Sequence, residues 1–146
     1  MAAPREVSKI LTPNDLGITG THQAGIAIPK DADVLAFFPR LDPTEYNPDC
    51  LIAVHTPATG DYWQLRFVYY NSKTHGQGTR NEYRLTGTTQ MLRDLAPRVG
   101  DSISFLRNPL GDIEACIRLQ DDPVPLPATE RVLKNGWRLT ISDTKD

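Results

Sequence analysis

The sequence predicts a mainly β fold with two short helices (α+β), closed into a partly open barrel of about seven strands. Three observations predict it. Tyr62 to Tyr70 alternate at period two, with Trp63, Leu65, Phe67 and Tyr69 on one phase and Gln64, Arg66 and Val68 on the other. Short apolar runs recur along the chain between clusters of Gly, Pro, Asn and Asp, as strands between turns do. Only two stretches have helical character, and both are brief. With 146 residues the chain fits one domain with a real core, residues 142–146 forming a polar tail.

In chain order, Val7 to Leu11 is a first strand, ended by the turn chemistry of Thr12-Pro13-Asn14-Asp15. A polar, glycine-punctuated loop from Leu16 to Gln23 follows; loops of that length in a compact domain are often functional. Ala24 to Ile28 is a strand stopped by Pro29, and Asp31 to Phe38 a short helix with Asp31 or Asp33 as N-cap. Leu51 to His55 is a strand that turns through Thr59-Gly60-Asp61 into Tyr62–Tyr70. Glu82 to Thr86 returns as a strand, Thr88 or Thr89 caps a helix with Met91, Leu92 and Leu95, and Pro97 and Gly100 close it. Ser102–Leu106 and Ile113–Leu119 form a hairpin, 121–127 is an extended connector, and Trp137–Ile141 is the last strand. Trp63, Phe67, Phe105 and Trp137 keep strand phase and are expected in the core, without polar partners.

A composition 39% hydrophobic and 23% charged is globular. No apolar signal region and no span-length apolar run occurs, so the chain is expected to be soluble and cytoplasmic, with no membrane partner. Cys50 and Cys116 lack paired spacing and read as buried thiols. The net charge of −2 is not the basic footprint of a nucleic-acid binder. Its distribution is uneven, however: Arg66, Lys73, Arg80 and Arg84 crowd one hairpin against Glu82 alone, while acidic residues load the C-terminal half.

That hairpin, from Phe67 to Arg84, carries the chain's most unusual chemistry. A stiff two-stranded ribbon fits the DNA major groove, and Arg, Asn and Glu suit guanine, adenine and cytosine edges respectively. Two stretches then match a known family. Asn14-Asp15-Leu16-Gly17-Ile18-Thr19-Gly20-Thr21-His22-Gln23-Ala24-Gly25-Ile26-Ala27-Ile28-Pro29 resembles the opening motif of the N-terminal, DNA-recognising domain of EcoRII-type restriction endonucleases. Tyr69-Tyr70-Asn71-Ser72-Lys73 with Thr79-Arg80-Asn81-Glu82-Tyr83-Arg84-Leu85-Thr86 resembles its second motif, and Phe38-Pro39 and Asn47-Pro48 fall between them in order.

The resemblance implies a DNA-binding pseudobarrel like that of plant B-three-type transcription factors, gripping the major groove with two arms, 14–23 and 71–86. It implies a CCWGG-type target (W being A or T), double-stranded DNA as partner, and a nuclease domain in the same full-length polypeptide, as also in monomeric UbaLAI-like enzymes. No cofactor is then expected in this domain, Mg²⁺ being expected only for the missing nuclease domain. Three departures stand out. Gln77-Gly78 replaces an expected Lys, Tyr83 replaces a second basic residue, and Ala27 sits where the family has an aromatic. Fewer cations imply fewer phosphate contacts and a shallower salt dependence.

With the resemblance, Arg80 and Arg84 become the leading base or phosphate contacts, since the guanidinium fork meets guanine O6 and N7 together. Glu82 either accepts from cytosine N4 or orients the two arginines. Asn81 reads a base edge or holds the turn, about evenly. Asn71 and Lys73 are phosphate or scaffold residues. His22 and Gln23 are assigned to the groove, Thr19 and Thr21 to phosphates, and Asn14 with Asp15 to the arm, Asp15 accepting from a cytosine amino group or capping its turn.

A catalytic reading fails on chemistry. Asp49 with Asp143 and Lys145 mimics the carboxylate–lysine spacing of a Mg²⁺ nuclease, but the second half lies in the polar tail. There is no Gly-x-Ser-x-Gly elbow, and Cys50, His55, His22 and Cys116 lack zinc-ligand spacing. The sequence therefore predicts a recognition domain and not an enzyme by itself. A complete metal-dependent nuclease, or a β-barrel module for another polar ligand, are the alternatives.

Overall fold

The computed structural model describes residues 5–17, 25–121, 129–133 and 136–141. Nine strands and two helices occur among them: β1 (Glu6–Ile10), β2 (Ile26–Ile28), α1 (Ala32–Phe37), β3 (Asp49–Thr56), β4 (Asp61–Tyr70), β5 (Glu82–Thr86), α2 (Thr89–Leu95), β6 (Ser102–Arg107), β7 (Ile113–Arg118), β8 (Thr129–Val132) and β9 (Trp137–Ile141). They form one sheet in the order β2-β5-β4-β3-β7-β6-β1-β9-β8. Every neighbouring pair is antiparallel except β3 with β7.

The sheet curls until its two ends meet. Trp137 on β9 donates its indole N–H to the Ala27 carbonyl of β2 at 3.1 Å, although the two strands stand near opposite ends of the order. This is the partly open barrel expected from the sequence. Its interior is lined by one phase of the strands β1 to β7 and β9, including Val7, Ile26, Ile28, Ile52, Val54, Leu65, Phe67, Leu85, Ile103, Phe105, Ala115, Trp137 and Leu139, all nearly inaccessible. α1 adds Val34 and Phe37, with Phe38 just beyond its end, and α2 adds Met91 and Leu92. Phe38 stacks on Phe67 at 4.9 Å, Phe67 on Tyr83 at 5.6 Å, and Tyr83 on Tyr69 at 4.2 Å. This column of parallel rings ties α1 to the β4–β5 hairpin.

Several expectations are corrected. β8 lies in a segment with no expected strand, just after the connector, most of which falls outside the described residues, as does the polar tail. Asp31 caps α1 as expected, accepting from the amides of Asp33 at 2.9 Å and Val34 at 3.3 Å. Thr88 holds the N-cap position of α2 but makes no capping bond. The free thiols of Cys50 and Cys116 are half-buried, not buried; burial pushes that of Cys116 up from its ordinary range. Both indoles do have polar partners: that of Trp63 donates to Thr56 Oγ1 at 3.0 Å.

Candidate nucleic-acid interface

The arm at 71–86 begins where β4 runs out. Asn71 is wholly buried there, and its side chain clasps a neighbouring loop. Its Oδ1 accepts from the Asn47 amide at 2.8 Å, and its Nδ2 donates to the carbonyls of Glu45 at 2.7 Å and Pro43 at 3.2 Å. Asn47 reciprocates, its Oδ1 accepting from the Asn71 amide at 3.2 Å; its backbone sits at φ 47°, a left-handed conformation that asparagine tolerates. Of its two expected roles, Asn71 takes the scaffold one.

Beyond Asn71 the loop closes on itself. The Lys73 amide donates to the Arg80 carbonyl at 2.9 Å, and Gln77 N–H to the Ser72 carbonyl at 2.8 Å. Asn81 spans the loop: its Nδ2 donates to Thr74 Oγ1 at 2.9 Å, and its Oδ1 accepts from the Thr74 amide at 3.2 Å. Both polar ends of Asn81 are thus engaged in holding the turn. His75 packs edge-on against Tyr46 of the clasped loop, ring centres 5.7 Å apart. Lys73 and Arg80 are left exposed on the outside.

At the root of the arm, β5 pairs with β4 so that Tyr70 faces Glu82 and Val68 faces Arg84. Arg80 lies over the Tyr70 ring, 4.9 Å from its centre, and pairs with Glu82 Oε1. Arg84 donates from Nε to the same Oε1 at 2.8 Å. The two arginines differ sharply in setting: the side chain of Arg80 is 52% exposed and that of Arg84 only 7%. Burial works against a charged Glu82, but the hydrogen bonds from Arg80 and Arg84 and their positive charge outweigh it and hold the carboxyl below its ordinary range. Burial, and then Tyr69, push the Tyr83 hydroxyl up.

Of the arm at 14–23, the structure describes Asn14 to Gly17; Thr19, Thr21, His22 and Gln23 lie outside the described residues. Asp15 caps its turn, accepting from the Thr12 amide at 3.0 Å while its own amide donates to Thr12 Oγ1 at 3.3 Å. It also pairs with Lys9, both side chains 6% exposed. In this structure the Asp15 carboxylate caps its turn and pairs with Lys9. The arm returns through Gly25 at φ 81°, where a Cβ would sit 2.1 Å from the Leu85 carbonyl oxygen. Only glycine fits there.

A groove of about 500 Å³ draws its lining from the described start of the first arm and the root of the second. Thr12, Asn14 and Asp15 line it together with Glu82, Tyr83 and Arg84, and Ala27, Ile28 and Trp137 complete the lining named here. Three contributors escaped sequence reasoning. Lys9 had a readable signal, sharing the inward phase of Val7 and Leu11, where a lysine demands a carboxylate. Tyr70 and Asn47 had none. Elsewhere, Asp49 pairs with Arg66 at 2.5 Å. Among the described residues no three His, Cys, Asp or Glu gather as a metal site, and no helix is long and apolar enough to cross a membrane.

Comparison with known proteins decides the family. The sequence model described as restriction endonuclease EcoRII, N-terminal, matches residues 6–107. The chain belongs to this family. An alignment 80 residues long is 40% identical to the type II restriction enzyme EcoRII of Escherichia coli; it covers 53% of this chain and 19% of that enzyme's length. Among solved structures, the Arabidopsis FUS3–DNA complex superposes with a TM-score of 0.58 at 16% identity, over 76% of this chain and 93% of FUS3, a likeness of fold. The B3 domain of UbaLAI restriction endonuclease with cognate DNA gives 0.46 at 21% identity, over 77% and 64% of the two chains.

Proposed function

We propose that this EcoRII N-terminal family member is a sequence-specific double-stranded DNA-binding domain that supplies target recognition to a restriction endonuclease and does no chemistry itself. The observation that carries the reading is the groove lined by residues of both family motifs, among them a charged Glu82 whose carboxylate is paired with the exposed Arg80 on the adjoining loop. An exposed guanidinium and a half-buried carboxylate side by side are a donor and an acceptor suited to the two members of a G·C pair. Exposed Lys73 adds a cation where a phosphate backbone would pass.

In this reading the duplex lies across the groove with the arms at 14–23 and 71–86 entering its major groove, and the target is of the CCWGG type. The catalytic domain, with its Mg²⁺, belongs to the same full-length polypeptide, which works in the bacterial cytoplasm. Residues 1–146 then act as one recognition domain.

The test is a gel shift with a CCWGG duplex and a scrambled duplex of equal length and composition. The expected result is retention of the first at concentrations that leave the second free. Equal retention of both would sink the proposal. Cleavage of the cognate duplex by this chain with Mg²⁺ would replace it with an intact nuclease.

A further inference from the structure

The outer face of β5 places one carboxylate between two arginines, and the two are not equivalent. Both donate to Oε1 of Glu82, Arg80 from an exposed position on the loop and Arg84 from a buried one on the strand. Arg84 sits between Val68 of β4 and Ala27 of β2, and its NH1 also donates to the Gly25 carbonyl at 3.4 Å. A guanidinium keeps its charge even when desolvated, so a buried one is bound to its carboxylate; stripping the pair apart leaves a buried charge uncompensated. Arg80 pays no such penalty on leaving, because an exposed ion pair is worth little.

A bound duplex sharpens the asymmetry. Its phosphates repel a carboxylate in the groove and favour protonation of it. The charged and titratable groups facing Glu82 are Arg84 on its own strand, Arg80 on the preceding loop, Tyr70 opposite it on β4, and the Lys9–Asp15 pair that lines the same groove. Lys9 is already matched by Asp15. Once Arg80 turns to the duplex, Arg84 is the cation that stays.

We infer that Arg84 is a positioning residue for sequence readout: it keeps Glu82 charged and aimed into the groove, which frees Arg80 to exchange Glu82 for the duplex. The inference rests on the reading of this chain as a duplex-binding domain. It assigns Arg84 to Glu82 and not to DNA.

The test titrates the 146-residue chain against fluorescent CCWGG and scrambled duplexes over series of salt and pH. Wild type is expected to discriminate between them; equal affinities would overturn the duplex-binding reading and this inference together. Given discrimination, Arg84→Met is expected to cut the cognate-to-scrambled ratio by about tenfold, the scale of one good base contact. It should leave scrambled-duplex affinity and the salt slope unchanged. Glu82 then has one donor fewer, so the pH below which discrimination fades should rise. In a Glu82→Gln background, Arg84→Met should add no further loss. A salt slope reduced by about one, as a phosphate contact requires, or a full further loss in the Glu82→Gln background, overturns the inference. Should Arg84→Met fail to fold, Arg84→Lys keeps the buried charge without the fork, and the same slope and background comparisons decide.

Discussion

Asn71→Ala tests how the arm at 71–86 is anchored. The substitution deletes three side-chain hydrogen bonds at a fully buried position, to the Asn47 amide and to the carbonyls of Glu45 and Pro43. A buried group left unpaired costs about 1–3 kcal/mol. Glu45 and Pro43 lie on an exposed loop where water can reach their carbonyls, so the lower end of that range applies to each. The sum is about 3 kcal/mol, a large share of the total stability of a domain this size. With a urea m-value of about 2 kcal/mol/M, the midpoint should fall by about 1.5 M. Asn71→Asp is the sharper variant. It keeps the acceptor for the Asn47 amide but points a carboxylate oxygen at two carbonyls, so it should be at least as destabilising as alanine. Equilibrium urea unfolding followed by tryptophan fluorescence measures both. A midpoint shift below about 0.5 M for alanine, or an aspartate variant as stable as wild type, would refute the clasp.

Four further outcomes are expected. Arg80→Ala should lower affinity for the cognate duplex far more than for a scrambled one, by the roughly 1–3 kcal/mol of a base contact; equal losses in anisotropy titrations would make Arg80 a phosphate contact. Gly25→Ala should break the β2–β5 pairing, because its Cβ meets the Leu85 carbonyl at 2.1 Å, and a wild-type melting curve would contradict that. Lys9→Met strands Asp15 in a 6% exposed site and should cost about 3–5 kcal/mol, most of it recovered in Lys9→Met/Asp15→Asn, as thermal melts of the two variants would show. Glu82 has a lowered pKa in the folded chain, so its stabilising contribution is present above the ordinary glutamate range and fades as pH falls through the folded value. With a third of that side chain exposed the effect is within ~1 kcal/mol, and Glu82→Gln should flatten the acid limb of a stability–pH curve by that amount.

The strands were legible because period two is local. Leu65, Phe67 and Leu85 occupy the inward phase that alternation assigns them, and β5 begins and ends where expected. What alternation cannot show is whether the opposite face is covered. Val68 and Arg84 are on that outer phase, yet both are buried, so the arginine that looked most like a partner of Arg80 turned out to be its opposite in exposure. The polar residues of the arm were legible as a group but not one by one. Asn71, Asn81 and Asp15 have their hydrogen bonds taken by Asn47, Thr74 and Thr12, and none of those partners is fixed by spacing alone. β8 was missed because its four residues offer too short a run for periodicity to register.

The meeting of Trp137 with Ala27 has a mechanical consequence. Adjacent strands elsewhere in the sheet are zipped by successive backbone bonds, but here, among the described residues, one indole N–H crosses between a three-residue edge strand and the far end of the sheet. Such a seam is closed by a side chain and not by a ladder of backbone bonds. Because β2 is also the strand that follows Gly25, this contact joins the return of the first arm to the far end of the sheet.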